Sequence, residues 1–573
     1  MTSTTLIAGP WWPLLALATP LALAALAGLP RVRQHALLLL PLAPLPALPL
    51  AVVGTFADAT TVPDLLLGVH LGLDDSARPF LLLTAWLWLM AGLYAATYLR
   101  NTRKPAVFTS FWCMTLAGNL GVFMAQDVAT FYLAFATVSL AAYVLVVHDG
   151  TERALHAGRI YLILALLGEA ALLGGLLMGA HAADSPRIID VRAALGEAPS
   201  RHVIIALLVL GFGLKAGLMP LHIWLPLAHP AAPTPASAVL SGAIVKAGIF
   251  GLMAFLPGGA QAMDWGWLLL VAGLLSAYGG VLLGLTQSDV KAVLAYSTIS
   301  QMGLVIALIG LSMTQAHTAP ALTAAALASV HHGLAKGALF LAVGVALATT
   351  GRPRHWVLAL TALAALSVAG LPLTGGAWAK AALKAPVDIE VVEWLLALSA
   401  TGTALLLLRF WLLLRAKKAE HTGNQSGVPW GLLLPWITLL GSALLLPWVL
   451  VPYYTGMPSG YALAPGTLWS GVWPLLLAGA LAAVALRRRM KPPTLPEGDL
   501  AHPLERAVLV VVRAVTVRAM AERPQHARRM RRWLEQATNW QAFERALSRW
   551  SVAGVVLLFV MLAVTVLTRV GSG

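Results

Sequence analysis

Long apolar runs separated by short polar intervals make up most of the chain. A run of about twenty apolar residues can cross about 30 Å of hydrocarbon as one α-helix. Counting such runs predicts an all-α polytopic membrane protein with about sixteen transmembrane helices. Their approximate centres are Leu17, Leu45, Leu87, Leu116, Leu140, Leu167, Leu210, Ile244, Ala272, Leu304, Ala335, Ala364, Leu405, Leu439, Leu476 and Val560. The run around Leu45 is rich in proline and fits a continuous helix least well.

The charges between the runs predict which side of the membrane each loop faces. Basic residues collect in cytoplasmic loops, and here they fall in alternate loops, represented by Arg31, Arg100, Arg153, Lys291, Arg352, Arg415 and Arg487. We therefore expect both termini on the non-cytoplasmic side of the cell's inner (plasma) membrane. The first apolar run lacks a basic leader, so we expect it to remain as a membrane span.

The composition narrows the class of protein. Of 573 residues, 59% are hydrophobic and only 11% are charged, which is too few charges to cover the surface of a soluble domain. Soluble enzymes and disordered scaffolds are therefore excluded. The net charge of +15 is explained by basic cytoplasmic loops, so we expect contact with the lipid bilayer and no nucleic-acid partner.

Several chemistries with a recognisable sequence signature are missing. Cys113 is the one cysteine, which excludes an internal disulfide and a thiolate metal or iron–sulfur site. The sequence has no phosphate-binding loop and no dinucleotide-binding fingerprint. We expect no cofactor, no metal and no catalytic residue, so the chain itself has no redox or hydrolytic site.

Two apolar runs contain residues that no continuous helix tolerates. The run around Leu210 carries Lys215 and leads into five prolines between Pro220 and Pro235. Five spans later, Gly370 and Pro372 begin a similar interruption that precedes Lys380. A broken helix frees backbone groups that must face protein or water, so each break is expected to line a hydrated cavity. An odd offset of five spans inverts the second unit, which is typical of inverted-topology repeats in transporters.

Seven ionisable residues lie inside apolar runs rather than at their ends. An ionised side chain near the bilayer centre costs roughly 2.5–3.5 kcal/mol, so chance retention of several is improbable. Burial disfavours the charged form of a lysine, which suits it to exchange a proton near neutral pH. We predict a proton relay formed by Glu169, Lys215, Lys246, His332, Lys336 and Lys380.

The histidines among these residues differ in what their spacing predicts. His332 and Lys336 are four residues apart and share one helix face, where a bridging water could pass a proton between them. His331 points about 100° away and is either a packing residue or a side branch of the relay. His222 and His229 flank the first break, and each belongs either to the path or to the cavity wall.

Other members of the set also have a second interpretation. Glu169 is flanked by small residues and either takes part in the relay or hydrogen-bonds a neighbouring helix. Basic residues nearer helix ends more often extend their charge to the membrane surface than conduct protons. This applies to Lys291, Lys384 and Arg409.

Four stretches of the sequence form a recognisable signature. They are GFGLKAGLMPLHIWLPLAHPAAPTPASAVLSGAIVKAGIFGL from Gly211 to Leu252, SDVKAVLAYSTISQMGLV from Ser288, HHGLAKGALF from His331, and AGLPLTGGAWAK ending at Lys380. Together they resemble the antiporter-like proton-translocating subunits of respiratory complex I (NADH:quinone oxidoreductase subunits L, M and N). That family also includes the large subunits of Mrp antiporters and of membrane-bound hydrogenases. The resemblance covers about spans four to thirteen.

The resemblance implies roles for individual residues. Lys215 and Lys380 correspond to the lysines of the two broken helices, Lys246 to a relay position, and His332 with Lys336 to the central relay of a hydrated axis. Asp289 and Lys291 are weaker candidates at the start of their helix. Where the family usually has a glutamate on span five, this chain has Ala136. We hypothesise that Glu169, on the adjacent span, replaces that glutamate.

These expectations divide the chain into six segments. They are N-terminal transmembrane helices (1–105), a first antiporter-like repeat (106–258), a second antiporter-like repeat (259–416), additional transmembrane helices (417–486), a basic amphipathic connector on the cytoplasmic face (487–550) and a final transmembrane helix (551–573). The connector either lies on anionic lipid or docks a partner.

The resemblance implies a proton-translocating subunit of a complex I-like NADH:quinone oxidoreductase or a related assembly, working with other membrane subunits. Three alternatives stay open. The first is an Mrp-type subunit that exchanges protons against sodium. The second is the proton-conducting subunit of a hydrogenase or inorganic-carbon uptake complex. The third is a membrane anchor that has lost conduction.

Overall fold

The computed structural model describes residues 11–53, 56–63, 68–259, 262–314, 318–418, 429–490 and 493–496. Nearly all of them belong to one compact unit formed by Met1–Thr61 and His70–Glu497. A second unit, Val62–Val69 with Gly498–Gly573, is almost entirely outside the described residues. The predicted final span around Val560 and most of the predicted connector therefore lie outside the described residues as well.

The described chain is built of helices. In chain order they are α1 (Trp12–Ala27), α2 (Ala47–Val53), α3 (Arg78–Tyr98), α4 (Pro105–Met124), α5 (Val128–Val146), α6 (Glu152–Ala183), α7 (Ile188–Ala194), α8 (Arg201–Ala216), α9 (Trp224–Ala231), α10 (Thr234–Val239), α11 (Val245–Phe255), α12 (Met263–Leu285), α13 (Val290–Thr314), α14 (Thr318–Leu347), α15 (Gly351–Ala369), α16 (Gly375–Lys384), α17 (Glu390–Ala416), α18 (Trp430–Leu445), α19 (Pro447–Thr455) and α20 (Pro465–Arg487). A π turn, Leu240–Ile244, joins α10 to α11. Strands β1 (Phe56–Val62) and β2 (Val69–Leu73) pair between α2 and α3.

The multi-pass helical architecture is confirmed, but the predicted number of spans is not. Within the described ranges, 11 helical segments are long and apolar enough to cross a membrane. The run around Leu45 is not one helix, because Pro41, Pro44 and Pro46 interrupt it. It forms a 3-10 turn at Ala36–Leu39 and the short α2 instead.

Helices in the middle of the chain form the interior. All residues of the apolar window of α13 are buried, as are 94% of those in α10–α11 and in α14. The corresponding window of α6 is only 44% buried. Small residues allow the closest packing: a Cβ at Gly273 of α12 would lie 2.5 Å from the Gly303 carbonyl oxygen of α13. Side chains on α10–α11, α13 and α14 are therefore enclosed by protein.

The two predicted helix interruptions are present and end their first halves in the same way. After α8, Gly217 has φ +79°; its N–H donates to Leu214 O (3.2 Å), and Leu218 N–H donates to Gly213 O (2.8 Å). This pair of bonds is the Schellman motif, which favours glycine in the left-handed region. The Trp224 indole N–H also donates to Leu214 O, at 2.8 Å.

The second interruption repeats this geometry after α15. Gly370 has φ +96°; its N–H donates to Ser367 O (2.9 Å), and Leu371 N–H donates to Leu366 O (2.9 Å). Ala-Gly-Leu is the sequence at both ends. The lysines differ in position, because Lys215 lies in the last turn of α8 whereas Lys380 lies on α16, after the break.

Candidate functional site

Six of the seven ionisable residues predicted inside apolar runs are buried, and the seventh, Lys380, is half-buried with an enclosed Nζ. Lys246 and Lys336 are 0% exposed, His332 is 3%, Lys215 is 4% and Glu169 is 6% exposed. Such burial of amines and a carboxylate is costly unless each polar group finds a partner. The partners group the residues into three clusters: one at each break and one between them.

The first-break cluster joins Lys215 to Glu169 through a serine. Lys215 Nζ donates to Ser139 Oγ at 2.8 Å, and the Glu169 side chain also hydrogen-bonds Ser139 and interacts electrostatically with Lys215. Ser139 lies on α5, three residues after Ala136. The Ser139 hydroxyl therefore lies between the Lys215 ammonium, from which it accepts, and the Glu169 carboxylate, and its one proton is shared with Phe135 O at 3.2 Å.

Aromatic rings surround the Lys215 ammonium. Its Nζ is 5.7 Å from the Phe135 ring centroid and 5.9 Å from that of Tyr161, distances at which a ring face attracts a cation. A small pocket with about 270 Å³ of empty space is lined by these rings, by Glu169 and by Lys215. Glu169 Oε2 is buried and has no hydrogen-bond partner among the described residues, so the pocket presents a free acceptor next to the ammonium.

The central cluster brings Lys246 and His332 into direct contact. Lys246 Nζ lies 2.7 Å from His332 Nδ1 and donates to Ser241 O at 2.7 Å. His332 Nε2 is buried, and the described chain offers it no partner. With a neutral ring that carries its proton on Nε2, Nδ1 accepts from the ammonium and Nε2 is left to donate onward.

Hydroxyl groups connect the central cluster to Lys336. Ser241 Oγ and Thr298 Oγ1 are 2.7 Å apart. Thr298 Oγ1 donates to Leu294 O at 3.1 Å, and Lys336 Nζ donates to the same carbonyl at 3.1 Å. His332 and Lys336 therefore share a helix face, as predicted, but they hydrogen-bond different helices, α11 and α13.

The second-break cluster contains His331, Ser367 and Lys380. His331 Nε2 lies 3.2 Å from Ser367 Oγ, which also accepts from Gly376 N–H at 3.3 Å. His331 interacts electrostatically with Lys380. Lys380 Nζ is buried and has no hydrogen-bond partner within the described ranges. The face of α14 that carries His331, about 100° from His332, thus faces the second break.

The three clusters follow consecutive packed helices. A Cβ at Gly248 would lie 2.5 Å from Phe212 O and 3.1 Å from Lys215 Cβ, so α11, which carries Lys246, touches α8 at Lys215. His332 and His331 are neighbours on α14 and point to the central cluster and the second break respectively.

The two histidines beside the first break have different surroundings. Both are 0% exposed. His229 stacks on Phe340 with ring centroids 4.7 Å apart and interacts electrostatically with Lys291, Lys336 and Lys246. The ring centroids of His222 and Tyr296 are 6.0 Å apart. His229 therefore lies near the central cluster.

Residues near helix ends form their own contacts. Lys291 Nζ donates to Ala232 O at 2.7 Å, and Arg409 donates to Gln287 O. Asp289 pairs with Arg153 at 3.5 Å. Lys291 and Arg409 therefore hydrogen-bond neighbouring main-chain carbonyls.

Sequence reasoning missed the hydroxyls that hydrogen-bond the ionisable residues within the clusters. Ser139, Ser241, Thr298 and Ser367 lie on four different helical segments. Serine and threonine in membrane helices often bond only the carbonyl one turn back, as Thr361 does here. A hydroxyl that bridges two ionisable groups therefore has the same local sequence as one that does not.

Residues 125–406 match the family described as NADH:quinone oxidoreductase/Mrp antiporter, TM. A Mycobacterium tuberculosis protein is 36% identical over 332 residues, which is 54% of this chain and 51% of that protein. Hydrogenase-4 component B of Escherichia coli is 27% identical, with 72% of this chain and 69% of that protein covered. Na(+)/H(+) antiporter subunit A1 of Staphylococcus aureus is 29% identical, with 55% and 42% covered. The chain spans about half the length of the first of these relatives.

Two solved structures share the fold. The Mrp complex from Dietzia sp. DQ12-45-1b contains a chain that superposes with a TM-score of 0.70 at 23% identity, covering 98% of this chain and 63% of that one. The membrane-bound sulfane sulfur reductase, an archaeal respiratory membrane complex, gives a TM-score of 0.65 at 20% identity, covering 96% and 99%. The resemblance stated from the four sequence stretches is confirmed.

Proposed function

We propose that the chain is an antiporter-like subunit that translocates protons within a multi-subunit membrane complex, because residues 125–406 match the NADH:quinone oxidoreductase/Mrp antiporter membrane family. The observation that carries the proposal is the contact of 2.7 Å between Lys246 Nζ and His332 Nδ1 in the protein interior. Two groups that both bind protons, held in contact and enclosed by protein, are suited to transfer between them.

The proposed relay runs from the first break to the second. Lys215 exchanges a proton with Glu169 through Ser139, and Lys246 with His332 by direct contact. Lys336 joins His332 through a water on their shared helix face, because Leu294 O accepts from both Lys336 and Thr298 and has no proton to pass on. His331 and Ser367 lead to Lys380. His229 is a side branch beside the central cluster.

Glu169 takes the role of the family glutamate that Ala136 has replaced. A carboxylate beside Lys215 favours the protonated amine, and a neutral carboxyl favours its release. The hydroxyl of Ser139 supplies the path between the two groups. The hydrogen bond to Ser139 also joins Glu169 to the neighbouring helix α5, and the relay role is favoured because the same hydroxyl accepts from Lys215.

Two inverted repeats organise the relay. The repeats comprise residues 106–258 and 259–416, flanked by N-terminal helices (1–105), additional helices (417–486), the connector (487–550) and the final span (551–573). The shared Schellman ends at Gly217 and Gly370, each in an Ala-Gly-Leu sequence, support the repeat. The alternating basic loops support an orientation with both termini outside the cytoplasm.

The partners are other membrane subunits in the plasma membrane. The relatives named above include a hydrogenase component, a sodium/proton antiporter subunit and a respiratory membrane complex. A complex I-like or hydrogenase-like assembly that supplies energy for proton transport is the main assignment. The match to an Na(+)/H(+) antiporter subunit favours sodium/proton exchange as the second candidate.

Flux measurements on the reconstituted complex test the proposal. The tagged chain is purified with its partners, placed in proteoliposomes, and proton flux is followed with an internal pH-sensitive dye. Lys246→Ala should reduce the flux at least tenfold, whereas Lys418→Ala, which removes an exposed lysine, should leave it unchanged. Unchanged flux in Lys246→Ala would identify the chain as a non-conducting anchor. An imposed sodium gradient that drives proton flux would favour the exchanger.

A further inference from the structure

Arg354 joins the ends of three helices far from the clusters described above. Its guanidinium donates to Ala346 O (2.8 Å) in the last turn of α14 and to Leu414 O (3.3 Å) in the last turn of α17. It also donates to Lys417 O, just after α17. Because Arg354 lies in the first turn of α15, the start of α15 meets the ends of α14 and α17, and main-chain carbonyls occupy the donors of this guanidinium.

Exposed cations surround this meeting point, which we call the cationic junction and define as Arg352, Arg354, Arg415 and Lys417. Arg352 and Arg415 lie two residues from Arg354 and Lys417, respectively, and all except Arg354 are exposed. Helix α15 has no acidic residue, and those of α17 lie only in its first turn, at the opposite end. Among the described residues, none of these cations forms an ion pair with a carboxylate. The junction therefore presents positive charge without an acidic partner.

Two tryptophans lie beside this charge. The Arg415 guanidinium carbon is 5.5 Å from the centroid of the Trp411 ring, a distance at which the ring face attracts the cation. The Trp411 indole N–H donates to Leu358 O of α15 at 2.9 Å, so Arg415 is fixed beside the contact between α15 and α17. Trp356 of α15 is 73% exposed, and exposed tryptophans are enriched where a membrane meets water.

Exposed apolar side chains continue from the junction along both helices. Leu412 and Leu408 of α17 are 43% and 37% exposed, and Leu366 of α15 is 39% exposed. Helix α17 is long and apolar enough to cross a membrane, and Arg415 lies in its last turn. Cations, then tryptophans, then leucines thus follow the order of the phosphate, glycerol and acyl regions of a phospholipid.

We propose that the cationic junction binds the phosphate group of an anionic phospholipid from the cytoplasmic leaflet, whose acyl chains lie along the exposed leucines of α15 and α17. Arg352 and Arg415 bind the phosphate oxygens, and Lys417 adds a third positive charge. The leaflet follows from the basic helix ends, which mark the cytoplasmic side. An acidic protein partner is less favoured, because the cations adjoin exposed leucines at the end of a candidate span. The inference holds whichever ion the chain transports.

Lipid binding to the purified complex tests this site. The complex in detergent is titrated with dioleoyl phosphatidylglycerol and, in parallel, with dioleoyl phosphatidylcholine, and bound lipid is counted by native mass spectrometry. We expect phosphatidylglycerol to bind more tightly. Arg415→Gln should weaken its binding about fivefold, which corresponds to about 1 kcal/mol for one basic residue near the surface. The matched control is Arg103→Gln, which removes an exposed charge from another basic loop and should leave the binding unchanged.

Other outcomes would overturn the proposal. Equal binding of the two lipids would show that the junction does not recognise the charge of the headgroup, and an equal loss in Arg103→Gln would show that the whole basic surface attracts the lipid. Equally tight binding of inorganic phosphate would assign the site to a free anion. Loss of a partner subunit from Arg415→Gln, with unchanged lipid binding, would assign it to a protein. Because no flux is measured, failure of the lipid site leaves the proposed transport function untouched.

Discussion

Ser139 is the smallest group in the first-break cluster, yet it touches both ionisable side chains. Its hydroxyl accepts from Lys215 Nζ at 2.8 Å and hydrogen-bonds Glu169. A hydroxyl can accept from one neighbour while donating to the other, so it can pass a proton without a net change in its own charge. An alanine in its place would leave the buried ammonium short of one partner.

We predict that Ser139→Ala lowers the proton flux about tenfold, while Ser139→Thr retains most of it. Leaving a buried polar group unsatisfied costs about 1–3 kcal/mol, and 1.36 kcal/mol on a barrier corresponds to about tenfold in rate. The matched control is Thr137→Ala on the same helix, because Thr137 Oγ1 donates only to Leu133 O (2.7 Å). Flux in the reconstituted complex is the measurement, and equal loss in both alanine variants would exclude a specific role for Ser139.

Exchanging the carboxylate between helices tests the assignment of Glu169. Glu169→Ala alone should impair the flux, and the double variant Ala136→Glu with Glu169→Ala should restore it in large part. Restoration is expected because Ala136 lies one helical turn before Ser139 on α5. A carboxylate at position 136 would therefore belong to the same cluster. Loss of flux in every combination, with the complex intact on a sizing column, would argue against the substitution.

Among the helical elements, α15 has a left-handed glycine at each end, Gly351 at its start and Gly370 at the second break, and the two have different surroundings. Gly370 has φ +96°, and a Cβ there would lie 2.7 Å from Lys380 Cδ. Gly351 has φ +61°, but a Cβ there would meet no atom within 4 Å. Both positions are strained for any other residue. Only at Gly370 would an added side chain also displace the stem of Lys380.

We predict that Gly370→Ala lowers both stability and flux, whereas Gly351→Ala lowers stability alone. The backbone strain costs about 1–3 kcal/mol in either variant, which a thermal unfolding assay in detergent should detect as similar shifts. The additional contact in Gly370→Ala displaces Lys380, so its flux should fall severalfold below that of Gly351→Ala. Identical flux in the two variants would show that the position of Lys380 tolerates this displacement.

The sequence predicted the helix breaks and the buried lysines, but not the contacts between helices. The breaks could be predicted because proline and glycine have strong local effects on helices, and the buried lysines because charge inside an apolar run is costly. The sequence suggested a pair between His332 and Lys336. The contact between Lys246 and His332 could not be predicted, because it depends on how α11 packs against α14. The proline-rich run near Leu45 was long and apolar enough, but its prolines prevented one helix.

Across the whole molecule, the clusters lie on helices that touch in sequence from α8 through α11 and α14 to α16. Gly248 brings α11 against α8 at Lys215, and the adjacent His332 and His331 link the central cluster to the second break. This arrangement favours one path in which the two halves act in series, rather than two separate channels that each cross the membrane.

The series arrangement makes a prediction about combined variants. Lys215→Ala and Lys380→Ala should each abolish most of the proton flux, and the double variant should be no worse than either single one, because residues that act as a unit are not additive. Two separate channels that each cross the membrane would instead leave roughly half of the flux in each single variant and none in the double. Initial rates in proteoliposomes, normalised to the amount of assembled complex and compared with Lys418→Ala, separate the two cases. Half of the flux in each single variant would mean that Lys246 and His332 belong to only one of two separate channels.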